Sequence, residues 1–201
     1  MKIVGLCGGS GSGKGAVSSL FVKRGIPSID TDAVYRELTL GDSECIRSLA
    51  LAFGNEIISD DGSLNRKALR KIVFESEEAE IKLKILNQIT HKFILDETRR
   101  RLEDFKAKGV KAAIVDAPVL FESGFDQECD VIVSVVADRE VRINRIMLRD
   151  NIGRNDAILR ISSQLSDEEI IERSDIVIFN NSDISALDKR VGEVAHFILN
   201  N

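Results

Sequence analysis

The sequence has no tryptophan, one tyrosine, two histidines and only two prolines. With so little proline there is no Pro-rich linker, and the pieces of the chain are expected to be docked and not strung together. No window approaches the roughly 18 apolar residues of a membrane span, and the opening MKIVGLCGG is too short an apolar run for a secretory signal. A soluble, cytoplasmic protein is the expectation. Cysteine is scarce too. Cys7, Cys45 and Cys129 are odd in number and show neither metal-ligand nor redox spacing. They read as small buried hydrophobes in a reducing compartment. Basic residues are outnumbered, 28 Lys and Arg against 33 Asp and Glu, for a net charge of -5. That balance argues against a general nucleic-acid or membrane-surface binder.

What is present suffices for a packed core, since 43% of the 201 residues are hydrophobic and 30% are charged. The length suits one α/β domain with embellishments. Short apolar runs recur at Lys2 to Cys7, Pro27 to Ile29, Val110 to Val115, Val131 to Val136 and Ile176 to Phe179. They are rich in β-branched residues and do not alternate, as expected of parallel strands covered on both faces. Helical periodicity lies between them, so the class is α/β with a mainly parallel sheet core flanked by helices. The gap of about 80 residues between the second and third runs is too long for a simple crossover. It holds helical patterns near Glu44 to Phe53, Arg66 to Phe74 and Glu77 to Phe105, the last with an Ile81, Ile85, Ile89, Phe93 stripe. A helical insert is expected there. A second, charged and helical elaboration runs from Arg139 to Arg173.

Between the first strand and first helix stands Gly8-Gly9-Ser10-Gly11-Ser12-Gly13-Lys14, which fits G-x-x-x-x-G-K. Backbone N–H groups can converge on a phosphate only where φ is positive and no Cβ intrudes, which glycine permits. The helix N-terminus adds partial positive charge and Lys14 reaches the outer phosphates. Gly11, Gly13 and Ala16 also satisfy a dinucleotide-binding G-x-G-x-x-A, with Asp30 about 20 residues on. That pattern starts several residues late after the strand and leaves the lysine unexplained. Gly15 and Ala16 stand where a hydroxyl residue usually follows the lysine and helps hold Mg²⁺.

Ile29-Asp30-Thr31-Asp32 closes the second strand, and Ile114-Val115-Asp116-Ala117-Pro118-Val119-Leu120-Phe121-Glu122 follows the third. These segments resemble the D-A-D and D-x-P-L-L-F-E signatures of the dephospho-CoA kinase family. So do Gly25-Ile26-Pro27, Ile89-Thr90-His91, Arg149-Asp150 and Ile161-Ser162-Ser163-Gln164-Leu165-Ser166, in the same order along nearly the whole chain. Lys92 after His91, Asn180 after Phe179, and the Gly15-Ala16 pair depart from the family's usual residues.

The resemblance implies a P-loop NTPase-type sheet core over 1–35, 108–138 and 174–201, a helical substrate-binding insert over 36–107 and a helical lid over 139–173. It implies ATP with Mg²⁺, dephospho-CoA as acceptor, and a monomer or weak homo-oligomer. Gly8, Gly9, Gly11, Ser12, Gly13, Lys14, Gly15 and Ala16 would hold ATP, and Asp116, ending its strand, would bind the metal. Asp30 would share the metal or fix the local turn. Asp32 matches the family's proposed base, and its alternative is to cap the helix that follows. Asp32, His91, Pro118 and Leu120 would meet the acceptor. Arg139, Arg142, Arg145 and Arg149 share roughly one helical face; Arg149 matches the family's lid arginine and is the catalytic candidate among them. Arg99, Arg100 and Arg101 are surface residues or CoA-phosphate contacts. Two other functions stay open: a nucleoside-monophosphate kinase, suggested by G-K-G, and a nucleotide-binding pseudokinase, suggested by the missing hydroxyls.

Overall fold

The computed structural model describes residues 1–200. Among these, the first half of the chain forms β1 (Lys2–Cys7), α1 (Lys14–Lys23), β2 (Ser28–Asp30), α2 (Thr31–Leu38), α3 (Glu44–Phe53) and α4 (Arg66–Phe74). The long α5 (Ala79–Ala107) precedes β3 (Ala112–Asp116) and β4 (Val131–Val136). Then come α6 (Arg139–Asp150), α7 (Arg154–Ser162), α8 (Asp167–Glu172), β5 (Ile176–Phe179) and α9 (Ile184–Asn200). The chain divides into two compact units: Met1–Asp30 with everything from Leu102 onward, and Thr31–Arg101.

In the first unit the five strands form one parallel sheet in the order β2-β3-β1-β4-β5. All five residues of β3 are buried, as are the last four of β1 and of β4, which explains their unalternating sequences. Val17, Leu20 and Phe21 of α1 and Leu187, Val191 and Val194 of α9 share one core with Val4, Leu6, Ile114 and Ile178 of the sheet. β1 leads by way of α1 to β2, while β3 leads back past β1 to β4. The two connections diverge, which opens a crevice at the carboxyl ends of β1 and β3.

The strand register departs from the sequence pattern at two places, each for a local reason. Pro27 has no N–H to give to a ladder, so β2 begins at Ser28, while the Pro27 carbonyl accepts from Ile114 N at 2.8 Å. Val110 lies in the turn that closes α5, ahead of β3. Its N–H returns to Phe105 O at 3.1 Å, with Gly109 left-handed at φ 74°, the usual wrap of a helix terminus.

The second unit packs Cys45, Ile46, Leu49 and Phe53 of α3 against Leu69 and Val73 of α4, with Ile89 and Phe93 of α5 beside them. The apolar stripe expected on α5 is therefore only half used. Ile81 is 60% exposed and Ile85 36%. α3 and α4 are 10 and 9 residues long and cannot cover a helix of 29.

Back in the first unit, α6 and α7 form a hairpin with its own small core of Ile143, Ile146 and Ala157. It turns at Asn151, the one non-glycine residue with positive φ among those described. α8 starts on a capping box in which Ser166 and Glu169 satisfy each other's backbone N–H groups.

Candidate active site

The glycine loop crosses from β1 to α1 at the mouth of the crevice. Gly11 has φ 80°, and a Cβ there would come within 2.6 Å of the Arg142 carbonyl oxygen. Gly13 has φ 93° and would drive a Cβ into the Asn180 carboxamide. Both positions thus need glycine for conformation and for space. Within the loop Ser12 N donates to Gly9 O at 3.1 Å. Its outer side is held by side chains from distant elements. Arg142 Nε donates to Ser10 O at 2.9 Å, and Arg145 Nη1 donates to Gly11 O and Ser12 O at 3.3 Å each. Asn180 Nδ2 donates to Ser12 O at 2.7 Å, and Ser10 N donates to Gln164 Oε1 at 2.8 Å.

Lys14, the first residue of α1, forms a salt bridge with Asp116, the last residue of β3. Asp30 and Asp116 are cross-strand neighbours at the ends of β2 and β3. Two carboxylates side by side at strand ends, next to a phosphate loop, suit Mg²⁺. That ion takes one or two carboxylates and fills its remaining positions with phosphate oxygens and water. Gly15 and Ala16 are exposed, and nothing lies within 4 Å of where a Cβ on Gly15 would be.

Beyond Asp116 the segment turns under the loop. Pro118 is exposed and lines a cavity of about 140 Å³ together with Cys7, Gly9, Phe121, Glu122 and Gln164. Leu120 is wholly buried, and its side chain fills the space above Gly5 that a Cβ would take. It supports β1 from the core and does not line that cavity. The Arg173 guanidinium covers the Phe121 ring at 4.0 Å. Burial pushes the Cys7 thiol up to about 11, so this cysteine stays protonated near neutral pH and is no nucleophile. Cys45 is buried as well, whereas Cys129 is only partly so.

Of the α6 arginines, the sequence singled out Arg149, yet it is Arg142 and Arg145 that reach the glycine loop. Arg149 is exposed and forms a two-point pair with Asp150 at 2.8 Å. Arg139 is exposed on the first turn. In the sequence Gln164 stands out only within residues 161–166 and Asn180 only as a departure from the family's usual residue, and neither marks a grip on the loop. The one signal at Asn180 is a carboxamide directly after the apolar run Ile176–Phe179; the structure buries it.

In the second unit, Asp32 is exposed inside the first turn of α2. The helix begins one residue earlier, at Thr31, so Asp32 is past the capping position. His91 is half-buried on α5. The three consecutive arginines are engaged in ion pairs: Arg99 with Asp96 at 3.0 Å, Arg100 with Glu97 at 2.8 Å, and Arg101 with Glu97 at 2.7 Å and with Glu37.

A parallel sheet with a glycine loop ahead of its first helix, a lysine opening that helix and an acid ending the neighbouring strand is the architecture of P-loop kinases. The family model described as dephospho-CoA kinase matches residues 2–186. A dephospho-CoA kinase of Fusobacterium nucleatum is 41% identical over 191 residues, covering 95% of each chain. The TT1252 structure from Thermus thermophilus is 26% identical with a TM-score of 0.78, over 98% of this chain and 97% of that one. A dephospho-CoA kinase structure from Campylobacter jejuni shares the fold at a TM-score of 0.73 and 23% identity, over 98% and 96% of the two chains. The chain belongs to the dephospho-CoA kinase family.

Proposed function

We propose that this protein transfers the γ-phosphoryl group of ATP to the ribose 3′-hydroxyl of dephospho-CoA, giving CoA and ADP. The observation that carries the reading is the family match over residues 2–186, a range that includes the glycine loop and both carboxylate segments. Phosphoryl transfer has a loose transition state, so positioning and charge stabilisation do most of the work. The loop from Gly8 to Ala16 holds the phosphates, with Lys14 on the outer ones. Asp32 orients the acceptor hydroxyl and takes its proton. Asp116 holds Mg²⁺, with Asp30 beside it; when bound, the ion neutralises charge developing on the phosphate oxygens. His91 and the Pro118–Leu120 segment meet the acceptor, Leu120 by supporting it from beneath. Arg149 leaves Asp150 to join the phosphates as 139–173 closes over ATP, and 36–107 binds the rest of dephospho-CoA. Hydrogen exchange in 139–173 slows on forming the ternary complex if that segment is a lid.

The site of action is the cytoplasm, in keeping with thiols that need no oxidising compartment; no described helix is long and apolar enough to cross a membrane. The deciding measurement is ADP release with and without dephospho-CoA, and with AMP as an alternative acceptor. Release that depends on dephospho-CoA, with CoA as product, supports the assignment. Transfer to AMP alone, or ATP binding with no transfer at all, removes it.

A further inference from the structure

A loop of glycines loses more conformational freedom on ordering than any other, so something must hold its peptides in the orientation that phosphate requires. Each trans peptide points its C=O and the following N–H in opposite directions. Whatever fixes the Ser10 carbonyl therefore aims the Gly11 N–H, and whatever fixes the Ser12 carbonyl aims the Gly13 N–H. Asn180 does the second. The first falls to Arg142, whose Nε donates to Ser10 O at 2.9 Å.

Arg142 is itself held. It is only 2% exposed, and its Nη1 donates to Asp167 Oδ1 at 2.6 Å. Asp167 is the first residue of α8, directly after the Ser166 of the capping box. One guanidinium thus joins three elements: the glycine loop, α6 and the start of α8. Its Nη2 has no hydrogen-bond partner among the described residues and lies where a Cβ on Gly9 would be. A buried cation with an unfilled donor is a poor choice for packing alone, because an apolar side chain fills such space at lower cost. We infer that Arg142, clamped by Asp167, is a positioning residue that sets the glycine loop for ATP. The inference rests on the proposed reading that this loop binds ATP. A lysine cannot replace it, because a single ammonium lacks the planar fork that serves Ser10 O and Asp167 from separate nitrogens.

The test uses Arg142→Met, Arg142→Lys, Asp167→Ala and the double variant Arg142→Met/Asp167→Ala. ATP Kd by calorimetry and KM for each substrate are measured alongside thermal melts. A charge-assisted hydrogen bond is the interaction at stake, so Arg142→Met weakens ATP binding about tenfold or more. Asp167→Ala, at a side chain 30% exposed, weakens it by a smaller factor with the fold retained. The double variant is no weaker than Arg142→Met alone, because the two residues act as one unit. Arg142→Lys does not rescue, and the KM for dephospho-CoA stays within about twofold throughout. Folded Asp167→Ala with unchanged ATP Kd overturns the inference, even if Arg142→Met fails to fold. A parallel rise in both KM values that tracks the melting temperature also overturns it, since that is a structural role. Calorimetry separates the two proposals: a natural protein that binds ATP but transfers nothing defeats the kinase assignment and leaves this one standing.

Discussion

Lys14 and Asp116 are joined by a salt bridge across the crevice between β1 and β3, and their side chains are only 16% and 9% exposed. The proposed phosphate-binding cation and the proposed metal-binding acid are thus direct partners. Lys14→Ala leaves the Asp116 carboxylate nearly buried without this partner, so the melting temperature falls as well as the activity. The activity loss is about 10²–10³-fold in kcat, the scale for removing one donor to a developing charge. Lys14→Ala/Asp116→Asn restores the melting temperature without restoring transfer. Comparable transfer by that double variant and the natural protein rules out the role given to Lys14.

Asp32 is exposed in the first turn of α2, at the favourable end of the helix dipole, a contribution of about 0.3–1 kcal/mol that an exposed site does not exceed. Asp32→Asn therefore changes the melting temperature little. The proposed general-base role is worth about 10²–10⁴-fold. kcat with dephospho-CoA falls on that scale while ATP Kd is unchanged. A variant that melts several degrees lower and turns over normally shows Asp32 to be structural.

Gly15 stands where a metal-binding hydroxyl usually follows the lysine, and the space beside it is open. Gly15→Ser is accommodated without displacement, and it favours the helix by a few tenths of a kcal/mol. In the proposed reaction Mg²⁺ would be held by phosphates, carboxylates and water alone, and more of it would be needed. Gly15→Ser, with Ala16→Thr if required, lowers the Mg²⁺ concentration for half-maximal rate. Superimposable titrations mean these hydroxyls are irrelevant here.

Glu97 accepts hydrogen bonds from Arg100 and Arg101, and those guanidiniums, Arg100 foremost, hold its carboxyl down at about 2. The folded-state value lies below the unfolded one. The stabilisation is therefore complete above the ordinary carboxylate value near 4.5 and is lost as pH falls toward about 2. Glu97→Gln melts lower than the natural protein at pH 6, and the difference shrinks between pH 4.5 and 2.5. A difference independent of pH assigns the effect to something other than this carboxylate.

The sheet and the phosphate loop were legible because they rest on local rules. β-branched runs without alternation make covered parallel strands, and G-x-x-x-x-G-K between a strand and a helix makes a phosphate loop whatever surrounds it. Lys14, Asp116 and Asp32 stand out for the same reason, each fixed by its place at the end of a strand or the start of a helix. The α6 arginines were different. Their spacing put them near one helical face, but the sequence could not say which of them meets the loop. Arg142 and Arg145 do, while Arg149 turns to Asp150. Leu120 is similar: its motif marked it for the acceptor, and packing sends it against Gly5.

The sequence by itself determined the class of fold, the loop, the carboxylates at the strand ends and the family, because each depends on residues close together in the chain. Only the tertiary structure decided what holds the loop in shape. Gln164, Arg142 and Asn180 lie more than 130 residues from the loop atoms they grip. No spacing rule links such positions. They meet because the parallel order β2-β3-β1-β4-β5 brings the carboxyl ends of β1, β4 and β5 to one edge of the sheet.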